Sequence, residues 1–145
     1  MPASLPYVIV VDDDPDEGLL ITRILSKMDP PVDLCLLNDG AEAIEKLSNK
    51  FARKPDLIIM DNKMPKHYGV EVIKELAEFQ HIRQTPIVLM SAEFSRKEIR
   101  DAYEAGANSC VLKGDDSTEW ARNLRAIITY WIEINRIESL AEEDY

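Results

Sequence analysis

Five acids, Asp12, Asp13, Asp14, Asp16 and Glu17, fall within six positions directly after the apolar run "YVIVV". Like charges about 4 Å apart repel by roughly 4 kcal/mol at an effective dielectric near 20. Such a cluster either spreads into water or holds a cation. Three more residues stand at the same kind of boundary: Asp61 follows "LIIM", Ser91 follows "IVLM" and Lys113 follows "SCVL". Carboxylates are hard oxygen ligands of the kind magnesium takes, while a hydroxyl and an ammonium can face an anion. Separately, these residues read as helix caps, turn formers and a surface lysine. Together they would form a charged centre.

The elements needed to bring them together can be read from the pattern. Apolar runs at Tyr7–Val11, Val32–Leu37, Leu57–Met60, Ile87–Met90 and Ser109–Leu112 predict five strands. "YVIVV", "LIIM" and "IVLM" are apolar throughout, as suits strands covered on both faces; "VDLCLL", with Asp33, suits an edge. Helical patterns alternate with them. The first spans about Asp16 to Met28 with Leu19, Leu20, Ile24 and Met28 inward, before Pro30 and Pro31. A second runs from Ala41 to Asn49. A third runs from Val70 to Phe79 with Val72, Ile73 and Leu76 inward, and a fourth from Arg96 to Ala105, stopped by Gly106. The fifth starts near Ser117 and runs to about Ser139. Strand and helix alternating five times predict an α/β fold, a doubly wound parallel sheet with helices on both faces and right-handed crossovers. Ligands of such sheets bind beyond the carboxyl ends of the strands, where Asp12, Asp13, Asp61, Ser91 and Lys113 all stand.

Four segments, "VVDDD", "DLIIMDNKMPKHYGVEV", "PIVLMSAE" and "AGANSCVLK", each at a strand end and in this order, resemble the receiver domain of two-component response regulators. The resemblance spans about Tyr7 to Ile128 within a single domain of residues 1–145. It implies a flavodoxin-like strand order of 2-1-3-4-5 and a magnesium-dependent phospho-acceptor served by a histidine kinase. Asp61 would be the nucleophile that becomes an acyl phosphate. Asp13 would ligate magnesium directly, Asp12 mostly through water, and the main-chain carbonyl of Lys63 would complete the set. Ser91 and Lys113 would face the phosphoryl oxygens, since phosphoryl transfer rests on positioning and charge neutralisation. Asp14, beside Pro15, suits the start of a helix. Such a protein is a signalling receiver rather than an enzyme, with only self-catalysed phosphorylation and slow autodephosphorylation. The alternative is a haloacid-dehalogenase-like magnesium phosphohydrolase built on Asp12-x-Asp14, which leaves Asp61 without a task.

Two positions depart from the family pattern. Cys110 stands where an aromatic is common, and Gly114 where proline, often preceded by a cis peptide, is common. Acceptor chemistry is intact on this reading, whereas the output mechanism is open. The chain ends soon after the receiver pattern, so output is expected through protein contacts. The long final helix resembles receivers that accompany bacterial phytochrome-type histidine kinases. On that helix Trp120, Leu124, Ile127, Ile128 and Trp131 form one apolar stripe; Tyr130, Ile134 and Ile137 form a second, from which a homodimer is expected.

Composition removes other classes. The net charge of −10 argues against nucleic acid or an anionic membrane surface as partner. Cys35 and Cys110 have no zinc-site spacing and fit a reducing cytoplasm. "MPASLP" lacks the features of a signal peptide, and no apolar run approaches the length of a membrane span.

Overall fold

The computed structural model describes residues 4–136. Five parallel strands, β1 (Tyr7–Val11), β2 (Asp33–Leu37), β3 (Leu57–Asp61), β4 (Ile87–Ser91) and β5 (Ser109–Leu112), form one sheet in the order β2-β1-β3-β4-β5. The alternation predicted the doubly wound parallel sheet, and the order is the one the family resemblance implies. β1, β3 and β4 are buried at every residue and lie in the middle; β2 is half-buried and lies at an edge. The helices are α1 (Pro15–Ser26), α2 (Gly40–Ser48), α3 (Gly69–Leu76), α4 (Arg96–Ala105) and α5 (Ser117–Ile128).

Because side chains alternate along a strand, the sheet carries two cores. Ile9, Val11, Ile58, Met60 and Leu89 pack on one face with Ala43, Leu47, Val72, Ile73, Leu76 and Ala102 of α2, α3 and α4. Val8, Val10, Ile59, Val88 and Met90 pack on the other with Ile21, Ile24 and Leu25 of α1 and Trp120, Leu124, Ile127 and Ile128 of α5. Register then aligns the site. Val11 pairs with Met60, Asp61 with Met90 and Ser91 with Leu112. Asp12, Asp61, Ser91 and Lys113 therefore arrive side by side along one edge.

Three expectations need correction. Leu19 points outward, 68% exposed, while Gly18, Ile21, Ile24 and Leu25 are buried. A Cβ on Gly18 would lie 3.0 Å from the Leu36 side chain. The bare backbone there brings that line of α1 onto the sheet and turns Leu19 away. The third helix ends at Leu76, and a 3-10 turn at Gln80–Ile82 follows. The fifth does not continue as a regular helix toward Ser139. After Ile128 it widens into a π-helix over Thr129–Ile134, and Asn135 is extended with ψ 145°. Thr129, Tyr130, Trp131, Ile132 and Ile134 are β-branched or aromatic and lose side-chain freedom in a tight α turn. The wider turn advances each residue less around the axis. Ile132 thereby joins the core and Trp131 is only half-buried. Ile137 and Ser139 lie outside the described residues.

Candidate functional site

The carboxyl edge of the sheet begins with Asp12. Its amide N–H donates to the Leu37 carbonyl at 3.0 Å, one residue beyond β1, and its Oδ1 accepts the Asp14 N–H at 3.0 Å. The residue is 2% exposed, and its Oδ2 is buried without a hydrogen-bond donor. Asp14 turns to the helix as expected: its side chain caps α1 by accepting the Asp16 N–H at 2.9 Å, with Pro15 opening the first turn. That disposition leaves the Asp12-x-Asp14 hydrolase reading unsupported.

Asp61 closes β3, and the following loop folds tightly over it. Its Oδ1 accepts the Lys63 N–H at 3.3 Å, Lys63 bridges Tyr68, and the Gly69 N–H donates to the Asn62 carbonyl at 2.8 Å. Gly69 is required by close approach. A Cβ there would lie 2.6 Å from Leu89 Cδ2 and 3.2 Å from the Asp61 carbonyl oxygen. Met64, the residue before Pro65, fills the core beneath the loop. Ser91 ends β4 with its hydroxyl buried, accepting the Glu93 N–H at 3.4 Å.

Lys113 reaches back over this row. Its Nζ stands 3.6 Å from Asp12 Oδ2, 3.6 Å from Asp61 Oδ2 and 2.6 Å from Glu17 Oε2, and it lies over the Trp120 ring at 5.9 Å. The Lys113–Gly114 peptide is trans, the cis bond among the described residues being Asp29–Pro30. Gly114 has φ 99°, a left-handed conformation that proline, fixed near −65°, cannot take. The substitution at 114 thus comes with its own backbone path after the lysine.

Burial sets the electrostatics. It pushes Asp12 up to about 8, helped by the neighbouring Glu17 carboxyl, and raises Asp61 against the pull of Lys113. Burial also acts to raise Glu17, but its pairing with the Asp12 carboxyl and with Lys113 outweighs it and holds that carboxyl below its usual range. For Lys113 burial acts downward, and Glu17, Asp12 and Asp61 outweigh it, leaving the amine raised. Carboxylate oxygens of Asp12, Asp13 and Asp61 lie within 4.8 Å of one another, with Asp13 the most open to solvent. Crowded carboxylates and an unpartnered buried oxygen suit a hard divalent cation, whose charge would reverse the cost of ionising them.

The expected residues Asp12, Asp13, Asp61, Ser91 and Lys113 thus meet at one edge, with Lys63 in the adjoining loop. Two residues were missed. Asn62 is 2% exposed and donates to Glu98 Oε2 at 3.2 Å. Glu17 is the shortest partner of Lys113. Its sequence signal was a glutamate three places after a capping residue, which reads as an ordinary helix start. Cys110 is half-buried against the core, and burial raises its thiol, as befits a packing role. His81 is half-buried, with Nε2 2.6 Å from the Leu47 carbonyl at the end of α2.

Comparison with known proteins places these features in a wider set. The family model for the response regulator receiver domain matches residues 8–129. The chain is 33% identical to the two-component response regulator ORR3 of rice over 78% of its own length and 83% of that protein's. It superposes with a TM-score of 0.86 on the phosphorylated cyanobacterial phytochrome response regulator RcpA, covering 94% of this chain and 99% of that one at 24% identity. The Mn(2+)-bound form of the response regulator Rcp1 gives a TM-score of 0.82 at 21% identity, covering 91% and 98% of the two chains; Rcp1 is a Synechocystis protein.

Proposed function

We propose that this chain, which belongs to the response regulator receiver domain family, accepts a phosphoryl group on Asp61. A histidine kinase is the proposed donor. A carboxylate oxygen of Asp61 attacks phosphorus, the bond from phosphorus to the kinase imidazole breaks, and its electron pair returns to that ring. The observation that carries this reading is the convergence of Lys113 on the acidic pair, 3.6 Å from both Asp12 and Asp61. The Lys113 ammonium meets the charge that develops on the phosphoryl oxygens, and the buried Ser91 hydroxyl donates to another of them. Asp12, Asp13, Asp61 and the Lys63 carbonyl would hold magnesium, which supplies further neutralisation of the transferred group. Catalysis by the chain is limited to its own phosphorylation and slow hydrolysis of the product.

Incubation with acetyl phosphate and magnesium, followed by intact mass, should add one phosphoryl group. EDTA should stop it, and Asp61→Asn should abolish it. Full labelling of that variant would refute the assignment.

The proposed partners follow from the same reading. A phytochrome-type histidine kinase is supported by the likeness to RcpA, a cyanobacterial phytochrome response regulator. A cytoplasmic location fits two free cysteines and the finding that no helix among the described residues could cross a membrane. The net charge of −10 disfavours nucleic acid. A homodimer through the end of the fifth helix is supported by Tyr130 and Ile134, 47% and 63% exposed beside a core-facing stripe. Replacing both by Glu should leave a folded monomer in sedimentation velocity; a wild type that is itself monomeric at tens of micromolar would refute the dimer.

A further inference from the structure

Glutamate occupies the third position of all five helices; in α2, α4 and α5 it does the ordinary work of a helix start, and in α3 Glu71 is exposed. Glu42 accepts the Asn38 N–H at 2.7 Å, Glu98 the Ser95 N–H at 3.0 Å and Glu119 the Asp115 N–H at 2.9 Å. Glu17 holds the same position in α1 but is displaced from that task. In α4 the glutamate takes the amide of the cap residue itself; the equivalent amide in α1, that of Asp14, is already donated to Asp12 Oδ1. Glu17 turns toward the strand ends instead and takes the Lys113 ammonium at 2.6 Å, against 3.6 Å to each aspartate. A charge-assisted bond of that length, with Lys113 almost wholly buried, is the strongest contact the ammonium makes.

An anionic group arriving at Asp61 needs that same ammonium. We propose that Glu17 is a positioning residue that takes the short hydrogen bond of Lys113 before phosphorylation and leaves Asp61 only an ion-pair distance, so that this bond passes from Glu17 to the phosphoryl group as the switch operates. The inference rests on the reading of Asp61 as acceptor. Glu17 and Lys113 line an open cleft of about 520 Å³ between the first turn of α1 and the β5–α5 loop, so the pair is not sealed within the core. The exchange also has a reach beyond the site. The Glu17–Lys113 bond joins α1 to the segment after β5 across 96 residues of sequence, and its release removes one tie between them.

The test uses the full chain with saturating magnesium and beryllofluoride as the phosphoryl stand-in, with binding followed by tryptophan fluorescence. Glu17→Gln removes the charge, and Glu17→Asp keeps the charge but shortens the reach. Asp16→Asn removes a neighbouring exposed charge that does not touch Lys113. Both Glu17 variants should bind beryllofluoride at least fivefold more tightly than wild type, and Asp16→Asn should change affinity less than twofold. The ¹⁵N resonance of the Lys113 ammonium should start at a different position in Glu17→Gln and end where the wild type ends once beryllofluoride is bound. Unchanged affinity in the Glu17 variants, an equal gain in Asp16→Asn, or an unmoved starting resonance overturns the proposal while labelling by acetyl phosphate leaves the acceptor reading standing. A wild type that takes neither acetyl phosphate label nor beryllofluoride overturns both.

Discussion

The centre where β1 and β3 end and the open edge along β5 handle polar groups in opposite ways. At the centre, Asp12, Asp61 and Lys113 are all less than a tenth exposed, and each charge is tied to a small set of partners. Groups so placed tolerate few arrangements, because an unpaired buried charge is costly. At β5 the Lys113 N–H still donates inward to Ser91, so the main-chain groups of Cys110 and Leu112 face outward. They are met by side chains: the Tyr103 hydroxyl accepts the Cys110 N–H at 3.2 Å, and the Asn123 amide donates to the Leu112 carbonyl at 3.0 Å. Tyr103 and Leu112 are about half exposed. Capping by side chains blunts a free strand edge without burying it. The centre is thus a place of fixed chemistry, and the β5 edge is a surface where residues can change. The two departures from the family pattern, Cys110 and Gly114, lie beside this edge.

Mutations can break this contrast in a graded way. Lys113→Met should cost about 3 kcal/mol of stability in urea unfolding with EDTA present, since it strands buried carboxylates. A loss below about 1 kcal/mol would show that the centre accommodates its charges without the lysine. Gly69→Ala should cost about 2 kcal/mol, because its methyl meets Leu89 and the Asn62 backbone 3.1 Å away; a neutral result in thermal unfolding would mean that the acceptor loop yields easily. Tyr103→Phe should cost about 1 kcal/mol and speed hydrogen exchange at the Cys110 amide. Unaltered exchange there would dismiss the hydroxyl as a cap. Leu112→Ser should fall within about 0.5 kcal/mol of wild type, and a larger change would show that the β5 surface is not free to vary.

Much of the site was legible because continuous apolar runs stop abruptly at Asp12, Asp61, Ser91 and Lys113, and a strand end is where a doubly wound sheet exposes chemistry. Helix faces were less legible. A misplaced stripe in α1 counted Leu19 as core, since Leu19, Leu20 and Ile21 are equally apolar in sequence and only the close packing of Gly18 on Leu36 chooses among them. Likewise Trp131 and Ile132 exchange importance through a π turn that no local spacing announces.

The amino-acid order alone determined the alternation of strands and helices, the family, and the residue types at each strand end, because hydrophobic periodicity and motif spacing are local properties of a chain. Tertiary structure decided the pairings. Glu17 has the same local signature as Glu42, Glu98 and Glu119. Only the approach of Lys113, 96 residues away, and the prior claim of Asp12 on the Asp14 amide give it a different partner. Which donor a carboxylate finds depends on what the fold brings within about 3 Å, and that distance is not written in the neighbouring residues.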